Sequence, residues 1–116
     1  MQSVAYLEID DLSPEGLAPY VGNGKPVVLM IQGNFCHFCT EAKPAFQKFA
    51  QSNIAAAASI VIDGDPSEKK AYEVTKIWNQ TPGVPAFLGF DKTGKFVKIH
   101  KGSRDVNSLT LFSKSL

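Results

Sequence analysis

The sequence predicts an α/β fold, a mixed β-sheet with a parallel core and a C-terminal antiparallel hairpin, flanked by helices. Residues 27–31 form an unbroken apolar run, which is typical of a strand covered on both faces in a parallel sheet. Helix-patterned and strand-patterned segments alternate along most of the chain. The turn-forming residues 91–94 join two strand-like segments and predict the hairpin. The length of 116 residues favours a single domain, residues 1–116.

The elements are expected in the order β-α-β-α-β-α-β-β-α. A short edge strand is predicted at residues 4–9. It is followed by a short helix that Ser13 caps, Pro14 opens and residues 22–24 (Gly-Asn-Gly) end. The other strands are predicted at residues 27–32, 59–63, 86–90 and 95–101. The other helices are predicted to run from about residue 36 to 52, from 65 to 78, and from 104 onward.

Composition and charge exclude several partner classes. The formal net charge is +1, so no basic field is present to attract nucleic acid or an anionic membrane. The N-terminus lacks the basic and apolar regions of a signal peptide, and two cysteines in such a chain fit a reducing compartment. We therefore expect a cytoplasmic monomer that binds neither nucleic acid nor membrane.

Both cysteines, Cys36 and Cys39, lie where a predicted buried strand gives way to a predicted helix. This spacing indicates a redox pair, because a disulfide so local would restrain the unfolded chain little. At the helix N-terminus, free backbone N–H groups and the helix dipole favour a thiolate on Cys36. Cys36 is therefore predicted to be the nucleophile and Cys39, one turn further in, the resolving thiol. The alternative is that both are ordinary core cysteines.

Several further residues are informative because of their sequence positions relative to this pair. Pro44 follows Cys39 by five residues, residues 83–85 (Gly-Val-Pro) directly precede the fourth predicted strand, and Gly94 and Gly102 surround the last strand. Over essentially its whole length, the chain resembles the thioredoxin family. The resemblance implies a thioredoxin-like fold and a thiol–disulfide oxidoreductase that exchanges or reduces protein disulfides. It also implies a reductase or small-thiol electron donor, and no cofactor.

The resemblance further implies a substrate-binding rim around the thiols. A cis bond before Pro85 would place the Val84 backbone beside the Cys36 sulfur, although Pro82 is a competing candidate for any cis bond. We expect Phe38 to be exposed and Phe35 to be partly buried. The residues assigned to substrate binding are His37, Phe38, Val84, Pro85 and Gly102, with Phe35 and Ser103 completing the rim.

Three departures from the family pattern concern the chemistry of the site. The pair reads Cys-His-Phe-Cys instead of Cys-Gly-Pro-Cys, Met30 replaces a buried acid, and Gln32 replaces an aromatic residue. Without that acid, either water or a carboxylate such as Asp63 must accept the proton of Cys39. His37 either adds positive charge beside Cys36, which would make the disulfide more oxidising, or faces solvent.

Alternative functions remain open from the sequence. The pair could serve an isomerase or oxidase, which His37 would favour, or the chain could be a non-catalytic binding module. A zinc site is the main rival chemistry, since Cys36, Cys39, His37 and His100 offer two sulfurs and two imidazoles. His100 lacks ligand-pair spacing, so we expect no metal, while a dimer that shares a metal cluster through two such cysteine pairs stays open as an alternative.

Overall fold

The computed structural model of the chain describes residues 1–80 and 83–116. Its strands are β1 (Val4–Tyr6), β2 (Leu12–Ser13), β3 (Gly16–Leu17), β4 (Val27–Gln32), β5 (Ala56–Val61), β6 (Ala86–Phe90) and β7 (Phe96–Ile99). Its helices are α1 (Pro19–Gly22), α2 (His37–Gln51), α3 (Pro66–Thr75) and α4 (Val106–Lys114), with a 3-10 helix at Ile9–Asp11. Within these ranges, no helix has both the length and the apolar character needed to cross a bilayer.

The main sheet has five strands in the order β1-β5-β4-β6-β7. Strand β5 pairs in parallel with both β1 and β4. Strand β6 pairs antiparallel with β4 and with β7. The predicted mixed sheet with a parallel core and a C-terminal hairpin is therefore confirmed, as is the edge position of the first strand.

Strand β4 is buried on both faces, as its apolar run predicts. Val28 and Met30 point into one core cluster, which also contains Cys39 and the buried faces of α2 and α4. Val27, Leu29 and Ile31 alternate with them and point into a second cluster on the opposite face. The first cluster thus connects the sheet to the helix that begins beside the cysteines.

The predicted start of the first helix at Ser13 is wrong, whereas its predicted end is confirmed by α1, which ends at Gly22 with Asn23 as its C-cap. Residues 12–17 form the β2–β3 hairpin instead, and the Ser13 hydroxyl accepts a hydrogen bond from the Glu15 N–H within its turn. The hairpin packs on the turn after β6, where the Leu17 N–H donates to the Gly94 carbonyl at 2.8 Å. A Cβ at Gly16 would overlap that same carbonyl oxygen, so the close approach requires glycine there. This tertiary contact overrides the local helix-start signal.

Other boundaries differ for similar reasons. Strand β5 begins at Ala56 because its alanines pair with β4, as in the Val27–Ala56 pair, so the strand predicted at residues 59–63 begins and ends earlier. Helix α3 ends at Thr75 instead of near Trp78. The Trp78 ring is buried against Phe90, with ring centroids 5.1 Å apart.

Candidate functional site

The cysteine pair lies at the junction of β4 and α2. Strand β4 ends at Gln32, a turn of three residues follows, and Cys36 is the N-cap of α2. Cys36 and Cys39 are joined in a disulfide, with their Cα atoms 5.2 Å apart. The predicted strand-to-helix setting is confirmed.

The two sulfurs have different environments. Cys36 is half-buried, whereas Cys39 is only 1% exposed and belongs to the core cluster between sheet and helices. The Cys39 backbone N–H donates to the Cys36 sulfur at 3.1 Å. A thiolate on Cys36 would therefore receive both a hydrogen bond and the positive end of the α2 dipole.

The loop before β6 borders this junction. The Val84–Pro85 bond is cis, as predicted, and Pro85 is buried while Val84 is half-exposed. A Cβ at Gly33 would lie 3.3 Å from the Val84 side chain, which shows how closely the two loops approach. Pro82, the competing candidate for a cis bond, lies outside the described residues.

Two aromatic residues adjacent to the cysteines in the chain expose their side chains. Phe38 is 60% exposed, as expected. Phe35 is fully exposed, so the expectation of partial burial is wrong. The backbone of Phe35 has φ +54°, in the left-handed region, where the tight turn from β4 into α2 projects the ring away from the core.

His37 faces solvent at the first turn of α2. Its Nε2 lies 2.8 Å from the Glu41 carboxylate one turn along the helix, and both side chains are more than half exposed. The ring also contacts Phe38 edge-on, at 5.8 Å between centroids. His37 is therefore next to Cys36 in the chain, but its polar contact is with Glu41.

Asp63, the carboxylate considered as acceptor of the Cys39 proton, is hydrogen-bonded to the turn that precedes Cys36. Met30 is completely buried in the core beneath the disulfide. Asp63, just beyond β5, accepts hydrogen bonds from both the backbone and the side-chain amide of Asn34, at 2.7 and 3.0 Å. It thereby fixes the turn that leads from β4 to Cys36.

A buried polar pair near the cysteines was not predicted. The Gln32 amide donates to the Ser59 hydroxyl at 2.5 Å, and that hydroxyl donates to the Met30 carbonyl at 3.1 Å. Gln32 also lines an open groove of about 530 Å³ beside both cysteines. A polar residue ending an otherwise apolar strand was the available signal, since such a residue must find a buried partner.

The remaining predicted residues lie just after β7, which ends at Ile99. Gly102 is exposed, and a Cβ there would lie 3.0 Å from the ring of His100. The His100 ring contacts Phe112 and Phe87. Within residues 1–80 and 83–116, no group of three or more His, Cys, Asp or Glu side chains is arranged to hold a metal ion. The zinc set is thus not assembled there.

Comparison with known proteins places this site in a family. No protein-family model matches the chain. The chain is 32% identical over 102 residues to thioredoxin-like protein 453L of invertebrate iridescent virus 6, an alignment that covers 75% of this chain and 70% of that protein.

Solved structures share the fold at lower identity. A mutant thioredoxin from Halobacterium salinarum is 23% identical with a TM-score of 0.66, over 96% of this chain and 88% of that one. The exposed lipoprotein thioredoxin Etrx1 of Streptococcus pneumoniae is 18% identical with a TM-score of 0.66, over 84% and 90%. The J-Trx1 fragment of ERdj5 is 14% identical with a TM-score of 0.69, and the chain spans about half of that fragment (97% and 51%).

The viral relative, the shared fold and the disulfide at the N-terminus of α2 agree with one another. The chain belongs to the thioredoxin-like family of thiol–disulfide oxidoreductases.

Proposed function

We propose that the protein exchanges or reduces disulfides of protein substrates, with Cys36 as the attacking thiol and Cys39 as the resolving thiol. The observation that carries this proposal is the asymmetry of the pair. Cys36 reaches the surface at a helix N-terminus, whereas Cys39 is buried below it. A substrate disulfide can therefore approach Cys36 but has no direct route to Cys39.

The reaction proceeds in two exchanges. The Cys36 thiolate attacks one sulfur of the substrate disulfide, forming a mixed disulfide and releasing the other sulfur as a thiolate. The Cys39 thiolate then attacks the Cys36 sulfur, breaks the mixed disulfide and releases the second substrate thiolate. The substrate gains two electrons, the enzyme is left with its Cys36–Cys39 disulfide, and an external dithiol or reductase restores the reduced pair.

The proton of Cys39 must leave before the second exchange. Met30 supplies no base, and the Asp63 carboxylate binds the Asn34 turn. The groove beside the pair reaches both cysteines from solvent. Water in this groove is therefore the proton acceptor that the arrangement favours.

The surface around Cys36 suits an extended segment with apolar side chains. Phe35, next to Cys36 in the chain, and Phe38, next to Cys39, both expose their rings, and Val84 is half-exposed at the neighbouring loop. Exposed aromatic rings beside a reactive group gain contact area when an apolar partner covers them. The backbone at Val84 offers the position at which a substrate strand would pair.

The test is insulin reduction with dithiothreitol as the electron donor. The wild-type protein is expected to accelerate it, and Cys36→Ser to lose the acceleration completely. In a separate incubation from which dithiothreitol has been removed, pre-reduced Cys39→Ser is expected to accumulate a mixed disulfide with insulin, because no thiol remains to resolve it.

The two cysteine variants distinguish this function from that of a non-catalytic binding module. Trapped mixed disulfide in Cys39→Ser and none in Cys36→Ser, seen by non-reducing mass spectrometry, supports the assigned roles. Full turnover by Cys36→Ser, or trapping by that variant instead, would overturn them. No acceleration by the wild-type protein would favour a binding module.

A further inference from the structure

His100 connects the end of β7 to the loop that follows it. Its backbone N–H donates to the Phe87 carbonyl at 2.8 Å, which continues the β6–β7 pairing by one step. Its ring Nε2 lies 2.6 Å from the Ser103 carbonyl oxygen. A carbonyl oxygen only accepts, so Nε2 carries the hydrogen and donates it. This hydrogen bond is retained whether the ring is neutral or protonated.

The ring is held from several sides. Its centroid lies 4.9 Å from that of Phe112 on α4 and 6.4 Å from that of Phe87 on β6. Gly102 covers it, since a Cβ at that position would lie 3.0 Å from the ring atom Cε1. The imidazole therefore sits beneath the loop backbone, with its donor directed at the loop.

The other end of the loop is fixed by the cap of α4. The Ser103 hydroxyl donates to the Asp105 carboxylate and contacts the Ser108 hydroxyl at 2.9 Å. Asp105 in turn accepts from the Ser108 N–H at 2.7 Å, as the N-cap of α4. His100 and this cap together hold the backbone of residues 101–104 between two ordered elements.

The strand pairing places this loop at the end of the sheet where Cys36 and Cys39 lie. Strand β4 leaves the sheet toward Cys36 where Ile31 pairs with Ala86, next to Pro85. Strand β7 runs antiparallel to β6 and ends at the same edge, with Ile99 opposite Leu88. The bond from the His100 N–H to the Phe87 carbonyl is the last link of that pairing, and residues 101–104 leave the sheet there. The loop that His100 holds therefore lies at the same end of the sheet as the loop of the cis proline, which directly precedes β6.

We propose that His100 is a positioning residue that fixes the Gly102–Ser103 backbone as one wall of the substrate-binding edge. The inference rests on the proposed function, because it assigns the wall to binding of a protein disulfide. His100 does not touch the reacting sulfurs in this role. It lowers the cost of ordering the loop when an extended substrate docks.

The test compares His100→Phe, which keeps the ring packing but removes the donor, with His100→Gln, whose amide can donate to the same carbonyl. With insulin as substrate, His100→Phe should raise KM about threefold to tenfold, the effect of one lost hydrogen bond, with kcat changed by less than about twofold. His100→Gln should recover most of the wild-type KM. The rate of Cys36 alkylation by iodoacetamide should be unchanged in both variants, since the thiol itself is untouched.

Two controls keep the result interpretable. Lys98→Ala changes the same face of β7, where Lys98 lies over the Phe112 ring at 5.9 Å, and should leave KM unchanged. Backbone NMR order parameters of Gly102 and Ser103 should fall in His100→Phe and recover in His100→Gln. Unchanged order parameters would show that the His100–Ser103 hydrogen bond does not hold the loop. Lowered order parameters with an unchanged KM would show that ordering of this loop does not contribute to substrate binding. If the wild-type protein fails to reduce insulin, the proposed function fails. The order parameters still show whether the His100–Ser103 hydrogen bond holds the loop.

Discussion

At the scale of residues, two identical thiols acquire different roles from the backbone around them. Cys36 is the N-cap of α2, where its sulfur accepts the Cys39 N–H, and Cys39 faces the core one turn later. The helix advances about 5 Å per turn, and this displacement separates Cys39 in the core cluster from Cys36 at the exposed start of α2. The spacing of two residues between the cysteines therefore encodes both the bond and its asymmetry.

His37 is expected to tune the redox potential modestly. A positive charge on His37, adjacent to Cys36, would stabilise the thiolate and hence the reduced state, and the Glu41 contact at 2.8 Å would offset part of that charge. His37→Ala should lower the reduction potential by about 10 to 20 mV, equivalent to about 0.5 to 1 kcal/mol across solvent. The measurement is equilibration with glutathione redox buffers at pH 7.

Lys48→Ala is the matched control, because it removes a cation from the last turn of the same helix. It should leave the potential unchanged. A potential that stays constant or rises in His37→Ala would show that His37 does not stabilise the thiolate.

At the scale of elements, the helix caps explain where the chain stops being sheet and becomes helix. Helix α3 begins with a reciprocal cap, in which the Asp65 carboxylate accepts the Glu68 N–H at 2.9 Å and Glu68 accepts the Asp65 N–H at 3.2 Å. Pro66 occupies the first helical position. These residues are local in sequence, so the start of α3 was predictable.

Removing that cap should weaken the whole fold, because α3 buries Ala71 in the core cluster on the second face of the sheet. Asp65→Ala is expected to lower the free energy of unfolding by about 1 kcal/mol, and Asp65→Asn by much less, since asparagine also caps. Urea denaturation followed by circular dichroism measures the difference.

Glu73→Ala on the same helix is the comparison. Glu73 makes an exposed ion pair with Lys76 at 2.6 Å, and exposed pairs stabilise little. Equal destabilisation by Asp65→Ala and Glu73→Ala would contradict the capping explanation.

At the scale of the whole molecule, acid should destabilise the fold through carboxylates that are hydrogen-bonded only in the native state. The Thr93 hydroxyl lowers the pKa of Asp91, and the Ser103 hydroxyl lowers the pKa of Asp105, each below the ordinary value of 3.8. A lowered native pKa stabilises the fold above the unfolded-state value, and this stabilisation is lost as the pH falls through the native value. The urea midpoint should therefore be steady from pH 7 to about pH 5 and fall below about pH 4.

Asp105→Asn identifies the contribution of one such group. Asparagine keeps a cap for α4 but cannot ionise, so this variant should show a smaller loss of midpoint between about pH 5 and pH 3 than the wild-type protein. The same loss in both proteins would exclude Asp105 as a source of the acid sensitivity.

The sheet brings together three segments that are far apart in the chain. The turn at residues 33–36 follows β4, Pro85 precedes β6, and Gly102 follows β7. Because β6 is antiparallel to both β4 and β7, the end of β4, the start of β6 and the end of β7 lie at one edge. The substrate-binding surface that we propose therefore depends on the strand order of the sheet, which brings these three segments to one end.

The sequence by itself determined the elements whose signals are local. The apolar run of β4, the spacing of Cys36 and Cys39, the turn at residues 91–94 and the Asp65 cap each specify their own structure within a few residues. The tertiary structure decided what depends on distant contacts or on the geometry of a turn or loop. It replaced the helix after Ser13 with a hairpin packed on Gly94, exposed Phe35, paired Gln32 with Ser59 and directed His100 at Ser103. In each of these cases the partner lies in another element or loop, or the side chain is oriented by the turn it occupies, so short-range pattern alone could not select the outcome.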